Sequence, residues 1–142
     1  MKKIFLLIIC SMMLLCGCSQ SAVPEIDDFS WILVSVQSHK GSGQIIAYGP
    51  RMGETSESDG FCELVCTAKD GVISMQDKTN GKFYTGTYEF QGKDPRSSNY
   101  KITIDGQEGI AVVAMTTYHD KTQDPTFIIN LEDHSIKFFA KK

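Results

Sequence analysis

"SIKFFA", residues 135–140, alternates: Ile136, Phe138 and Ala140 share one face, and Ser135, Lys137 and Phe139 share the other. A period of two is the pattern of a strand with one buried face. "WILVSV", residues 31–36, is the first comparable stretch, apolar and rich in β-branched side chains. A sheet that zigzags in chain order brings its last strand back beside its first only by closing on itself. These two stretches therefore decide between an open sheet and a barrel. The inward set of 135–140 is suited to pair with 31–36, which predicts closure, with Trp31 buried near Ile136 and Phe138.

The residues between them fit this reading. After "WILVSVQ" (31–37) come "QIIAY" (44–48), "FCELVCTA" (61–68), "VISMQ" (72–76), "KFYTGTYEF" (82–90), "NYKITI" (99–104), "IAVVAMTTY" (110–118), "TFIINL" (126–131) and "SIKFFA". Turn signals separate them: "KDG", "DKTNG", "QGKDPRSS", "DGQEG", "HDKTQDP" and "EDH". "GPRMGETSESDG" (49–60) has no period and reads as a loop. No segment carries an apolar face at helical spacing over three turns. The spacing of these runs, roughly 8–12 residues, is that of a sandwich or barrel. Tight connections favour antiparallel neighbours, and closure removes exposed edges. The expected fold is all-β: a small antiparallel up-and-down β-barrel of about eight to nine strands, a size whose interior admits side chains or one small ligand.

Aromatic residues gather in the second half of the chain. Within 82–90, alternation puts Tyr84, Tyr88 and Phe90 on one face and Phe83, Thr85, Thr87 and Glu89 on the other. Tyr84, Tyr88, Phe90 and Trp31 are the candidate ligand-pocket residues; the plainer reading is that they fill a small barrel. Gly86 marks a bend where the barrel curves.

The N-terminus sets the location. Lys2 and Lys3 precede an apolar run over 4–15, followed by Gly17 and Cys18. This has the three parts of a secretory signal. The run is shorter than the roughly 20 residues of a membrane span. Leu15-Cys16-Gly17-Cys18 resembles a bacterial lipobox. The resemblance implies that Cys18 carries a diacylglycerol thioether and begins the mature chain. The expected organisation is a lipoprotein signal peptide over 1–17, a polar tether over 18–28 and the barrel over 29–142. The protein would then be held at the cell membrane on its extracytoplasmic side.

Past residue 17 there are 12 basic and 17 acidic side chains, a formal charge of −5. Basic residues do not cluster except at Lys141-Lys142, which argues against nucleic acid as a partner. The tether has no basic residue, which argues against electrostatic binding to anionic lipid. Cys62 and Cys66 would be separated by about 13 Å along a strand, beyond the roughly 4.4–6.8 Å between Cα atoms that a disulfide requires. Both are read as unbonded and largely buried, with a redox pair as the alternative.

Other constellations carry little chemistry. Gly41-Ser42-Gly43 follows a strand as a dinucleotide loop does, but Tyr48-Gly49-Pro50 stops any helix that would face a pyrophosphate. His119, Asp120 and Asp124 fall together without the spacing of an ion loop, and "DKTNG" lacks the distal Glu of a calcium loop. No serine sits in a nucleophile elbow. No metal, cofactor or catalytic residue is assigned, and no enzymatic activity is expected.

Two family resemblances bear on the fold. A lone Trp31 at the start of the first strand, ahead of a meander of hairpins, resembles the lipocalin-type barrel, in which that residue plugs the closed end. Phe29 stands where that family has Gly, and Lys137 is the basic residue nearest the place of its terminal Arg. "TGTYEF", "YKITIDGQEGIAVVAMTTYHD" and "PTFIINLEDHSIKFFA" resemble small lipoproteins of Gram-positive bacteria over most of the mature chain. These resemblances bear on fold and location; the expected protein is a lipid-anchored envelope protein whose barrel is a binding or interaction module of unknown ligand, with a small apolar molecule or an envelope protein as its candidate partner. The alternatives are a filled barrel that meets an envelope protein through its loops, and a thiol-redox protein using Cys62 and Cys66.

Overall fold

The computed structural model describes residues 22–52 and 57–141. Nine strands follow one another: β1 (Trp31–Ser38), β2 (Ile45–Tyr48), β3 (Leu64–Lys69), β4 (Val72–Asp77), β5 (Lys82–Lys93), β6 (Ser97–Ile104), β7 (Gln107–Thr117), β8 (Gln123–Asn130) and β9 (His134–Ala140). A single turn of 3-10 helix, Pro50–Met52, follows β2. From β3 to β9 each strand pairs antiparallel with the next, and β9 returns to β1. The register of that closing pair runs from Trp31 opposite Ala140 to Ser38 opposite His134. The expected closure is therefore observed: eight strands form the barrel.

The ninth strand departs from strict chain order. One edge of β1 is shared. Its first residues pair with β3 (Trp31 with Cys66, Ile32 with Val65), and its later ones pair with β2 (Ser35 with Tyr48, Gln37 with Ile45). The segment leading into β3 is tied to β2 instead, where the Cys62 amide donates to the Tyr48 carbonyl at 2.9 Å. So β2 is a flap on β1 and not a stave of the barrel.

A bulge in β1 makes this possible. Leu33 faces Phe138 and Ser35 faces Lys137, which leaves Val34 as the extra residue. Before the bulge, Trp31 and Leu33 point inward; after it, Val36 does. The Val34 carbonyl accepts the Gly49 amide at 2.8 Å. A Cβ on Gly49 would lie 1.8 Å from the Leu33 carbonyl oxygen, so only glycine can turn there.

Local sequence explains the hairpins. Asp70-Gly71 and Asp105-Gly106 both have positive φ at each residue, the geometry of type I′ turns that match strand twist. Gly86 sits where a Cβ would come 1.9 Å from the Thr103 carbonyl oxygen, at the bend anticipated for it. Pro125 lies in β8 opposite Met115, ahead of Thr126 where pairing with β9 begins, so its missing N–H faces no partner strand.

The two ends of the barrel differ. At one end the core is solid. Trp31 is fully buried, with its ring 5.4 Å from Phe29 and 5.3 Å from Phe127, and Phe127 stacks on Phe138 at 5.4 Å. Trp31 thus lies beside the last strand as expected, two residue pairs from Phe138, while Ile136 is far along β9 at the other end.

The expected tether over 18–28 is corrected across 22–28. Pro24 and Ile26 are buried, and this segment plugs the solid end. The Trp31 indole N–H donates to the Ile26 carbonyl at 2.8 Å, the Ile26 amide donates to the Tyr100 hydroxyl at 3.2 Å, and the Ser98 hydroxyl donates to the Pro24 carbonyl at 3.0 Å. The physical reason is that a closed barrel exposes an apolar base. The Ile26 side chain covers it, and the Pro24 carbonyl, the Ile26 carbonyl and the Ile26 amide satisfy the Ser98 hydroxyl, the Trp31 indole and the Tyr100 hydroxyl.

The candidate site at the open mouth

The other end of the barrel is formed by the end of β1, the approach to β3 and the turns β4–β5, β6–β7 and β8–β9. A cavity of about 290 Å³ opens there. Its floor and walls are Val36, Leu64, Met75, Ile104, Leu131 and Ile136, and its polar fringe is Cys62, Asp77, Tyr84, Asp105, Gln107 and His134. All the apolar residues except Val36 are buried. The volume is near the lower bound, about 300 Å³, of small-molecule sites.

The rim owes its shape to Asp77. Its carboxylate is 5% exposed and accepts three hydrogen bonds from the turn that follows: the Thr79 amide at 3.0 Å, the Asn80 amide at 3.0 Å and the Asn80 side chain at 2.8 Å. Burial alone would raise its pKa, but these bonds and one from the Cys62 thiol outweigh it and hold the pKa below the usual carboxylate value. The Thr79 hydroxyl accepts the Glu63 amide at 2.8 Å, and Lys78 pairs with Glu63 at 2.8 Å. "DKTNG" is therefore a knot that fixes the β4–β5 turn to the entry of β3.

Cys62 and Cys66 are unbonded, as expected, although β3 begins only at Leu64 and Cys62 lies in the segment before it and not on a common strand. Cys66 is fully buried and Cys62 half-buried at the cavity fringe. Burial, reinforced by the charge and hydrogen bond of Asp77, pushes the Cys62 pKa up to about 11. Burial pushes Cys66 up as well. Neither is a thiolate at neutral pH, the form that redox and nucleophilic chemistry requires.

The four aromatic candidates separate. Tyr84 lines the cavity. Tyr88 lies further along β5, packed edge-on against Tyr100 at 5.8 Å. Phe90 shares their face but lies near the solid end, 53% exposed with its ring 5.7 Å from Tyr100. Trp31 is in the solid core. The structure thus brings one of the four to the mouth. The residues that build the cavity with it stand next to turns at one end of the barrel, and the signal for them was position along the strands, not residue type.

His119 and Asp120 lie in an exposed turn, while Asp124 is buried beside Arg51, whose guanidinium is 3.3 Å away and also covers the Phe139 ring at 4.6 Å. Among the described residues no three His, Cys, Asp or Glu side chains gather as a metal site. Cys18 and the lipobox lie outside the described residues.

The fold and its cavity define a closed eight-stranded antiparallel β-barrel, sealed at one end and open over an apolar pocket at the other. No protein-family model, curated protein or solved structure matches the chain.

Proposed function

We propose that the chain is a lipid-anchored protein of the bacterial cell envelope, of lipocalin-like design, whose barrel binds a small, mainly apolar ligand at its open mouth. The observation that carries the binding role is the cavity, an apolar floor ringed by a few polar groups, as in ligand-binding barrels. The anchor rests on Leu15-Cys16-Gly17-Cys18 after an apolar run with a basic start. The raised thiol pKa values of Cys62 and Cys66 weigh against the redox alternative.

Two measurements test the reading. Metabolic labelling with a fatty acid should mark the wild-type chain and not Cys18→Ser; a labelled Cys18→Ser chain would remove the anchor. For binding, the fluorescent apolar probe N-phenyl-1-naphthylamine is titrated into the barrel domain. Saturable binding at one site is expected, lost in Val36→Phe, which fills the cavity, and retained in Thr87→Ala on the outer wall. Equal binding by all three would place the probe elsewhere and sink the pocket.

A further inference from the structure

The segment that plugs the solid end is also the segment that leads to Cys18. Val23 lines a depression with Arg96 and Met115 at that end, and the Pro24 carbonyl is held by buried Ser98. Only residues 19–22 lie between Cys18 and Val23. Five Cα steps reach at most about 17 Å.

Resting on the lipid anchor proposed above, we infer that the solid end of the barrel faces the lipid bilayer and that the open mouth points away from it, into the aqueous envelope space.

The geometry leaves the chain little choice. From Ser98 to Ile104, β6 spans about 20 Å, or about 15 Å along the barrel axis at a tilt near 40°. Eight strands spaced about 4.8 Å apart at that tilt give a backbone radius of about 8 Å. To set the mouth on the bilayer, the tether would have to cross the rim of the solid end and run down the outer wall. That path is about 15 Å of wall plus the passage over the β5–β6 or β7–β8 turn beside Val23, which uses up the roughly 17 Å on hand even with the tether fully extended and flat against the barrel. The ion pair between Glu25 and Lys93, at 2.9 Å, fastens the same segment to the end of β5, opposite Ser98. A ligand of the mouth would therefore arrive from water and not by lateral transfer from the lipid.

The experiment uses the full lipidated chain, purified from membranes and reconstituted in phosphatidylcholine vesicles that carry a nitroxide-headgroup lipid. Arg96→Cys, in the exposed β5–β6 turn at the solid end, and Glu132→Cys, in the exposed β8–β9 turn at the mouth, are each labelled with a bimane maleimide. The wild-type chain serves as the blank for Cys62 and Cys66. Quenching at position 96 should be severalfold stronger than at 132. Equal or inverted quenching in a chain whose intact mass carries the lipid overturns the orientation alone. An intact mass without lipid overturns the anchor, and the orientation falls with it. A flexible Gly-Ser insertion between Ser21 and Ala22 should erase the contrast; a contrast that survives it overturns the tether as the cause.

Discussion

The solid end and the open mouth are built from the same eight strands, yet they use opposite means. At the solid end, large side chains meet on the axis: Trp31, Phe127 and Phe138 are all fully buried, and Ile26 is laid across them. At the mouth, the floor and walls are Val36, Leu64, Met75, Ile104, Leu131 and Ile136, with Tyr84 as the aromatic side chain of the fringe, and they leave about 290 Å³ unfilled. The rim is then stiffened by polar knots such as that around Asp77, and not by packing. Stability is concentrated where the ring of strands is filled, and the space for a ligand lies where it is not.

The largest effect is expected at the centre of the filled end. Trp31→Ala removes a fully buried indole and orphans the Ile26 carbonyl. Such truncations cost about 3–5 kcal/mol, much of the roughly 5–15 kcal/mol that stabilises a small domain. Chemical denaturation of the domain without residues 1–21 should find Trp31→Ala largely unfolded. A neutral result would mean that the solid end is not the seat of stability.

The plug comes next. Ile26→Ala keeps the backbone bonds to Trp31 and Tyr100 and empties a buried site at the end of the core. The expected loss is about 2–3 kcal/mol, the lower part of the range for isoleucine truncation. The same denaturation series measures it. A loss near zero would make residues 22–28 an ornament on a barrel that closes without them.

At the mouth the expected effect is smaller and depends on pH. The folded-state pKa of Asp77 lies below its ordinary value, so the stability it contributes is complete above about pH 4 and is lost as pH falls through the folded value. Asp77→Asn retains one acceptor oxygen and gives up the charge-assisted bonds, at a cost of about 1–2 kcal/mol at neutral pH. Denaturant midpoints of wild type and variant should converge as pH is lowered from 7 towards 3. A gap that stays constant would mean that the carboxylate charge plays no part in the knot.

How far the sequence showed this contrast depends on the kind of signal. Closure was legible because the alternation of Ile136, Phe138 and Ala140 is uninterrupted. The hairpins were legible because Asp-Gly names its own turn. The displaced β2 was not: it follows from a bulge at Val34 and a close approach at Gly49, and neither leaves a trace in periodicity, since "WILV" is apolar throughout. The plug was hidden because one isoleucine in "AVPEIDD" cannot be told from an exposed one until there is a base for it to cover. For the mouth, aromatic character pointed to Tyr84, Tyr88 and Phe90 together. Alternation places those three on one face correctly, but it does not say how far along the barrel each one falls, and only Tyr84 falls at the mouth.

The smallest effect is expected at His119, and its position makes it informative. His119 belongs to the β7–β8 turn at the same end as Trp31, so a loss there would count towards the strength of the solid end. The turn is held by other groups. The Tyr118 amide donates to the Thr122 carbonyl and the Lys121 amide to the Tyr118 carbonyl, each at 2.9 Å. Asp120 accepts the Thr122 amide at 3.0 Å and the Thr122 hydroxyl at 2.6 Å. Lys121 supplies the positive φ of 66°. The His119 side chain is exposed, and its replacement leaves each of these bonds in place. Substitutions of that kind shift stability by no more than about 0.5 kcal/mol. His119→Ala should therefore denature with the wild-type midpoint, although it lies at the end where Trp31→Ala unfolds the domain. A larger loss would show that the rim of the solid end, and not only its interior, bears stability, and the contrast between filled axis and open mouth would have to be redrawn.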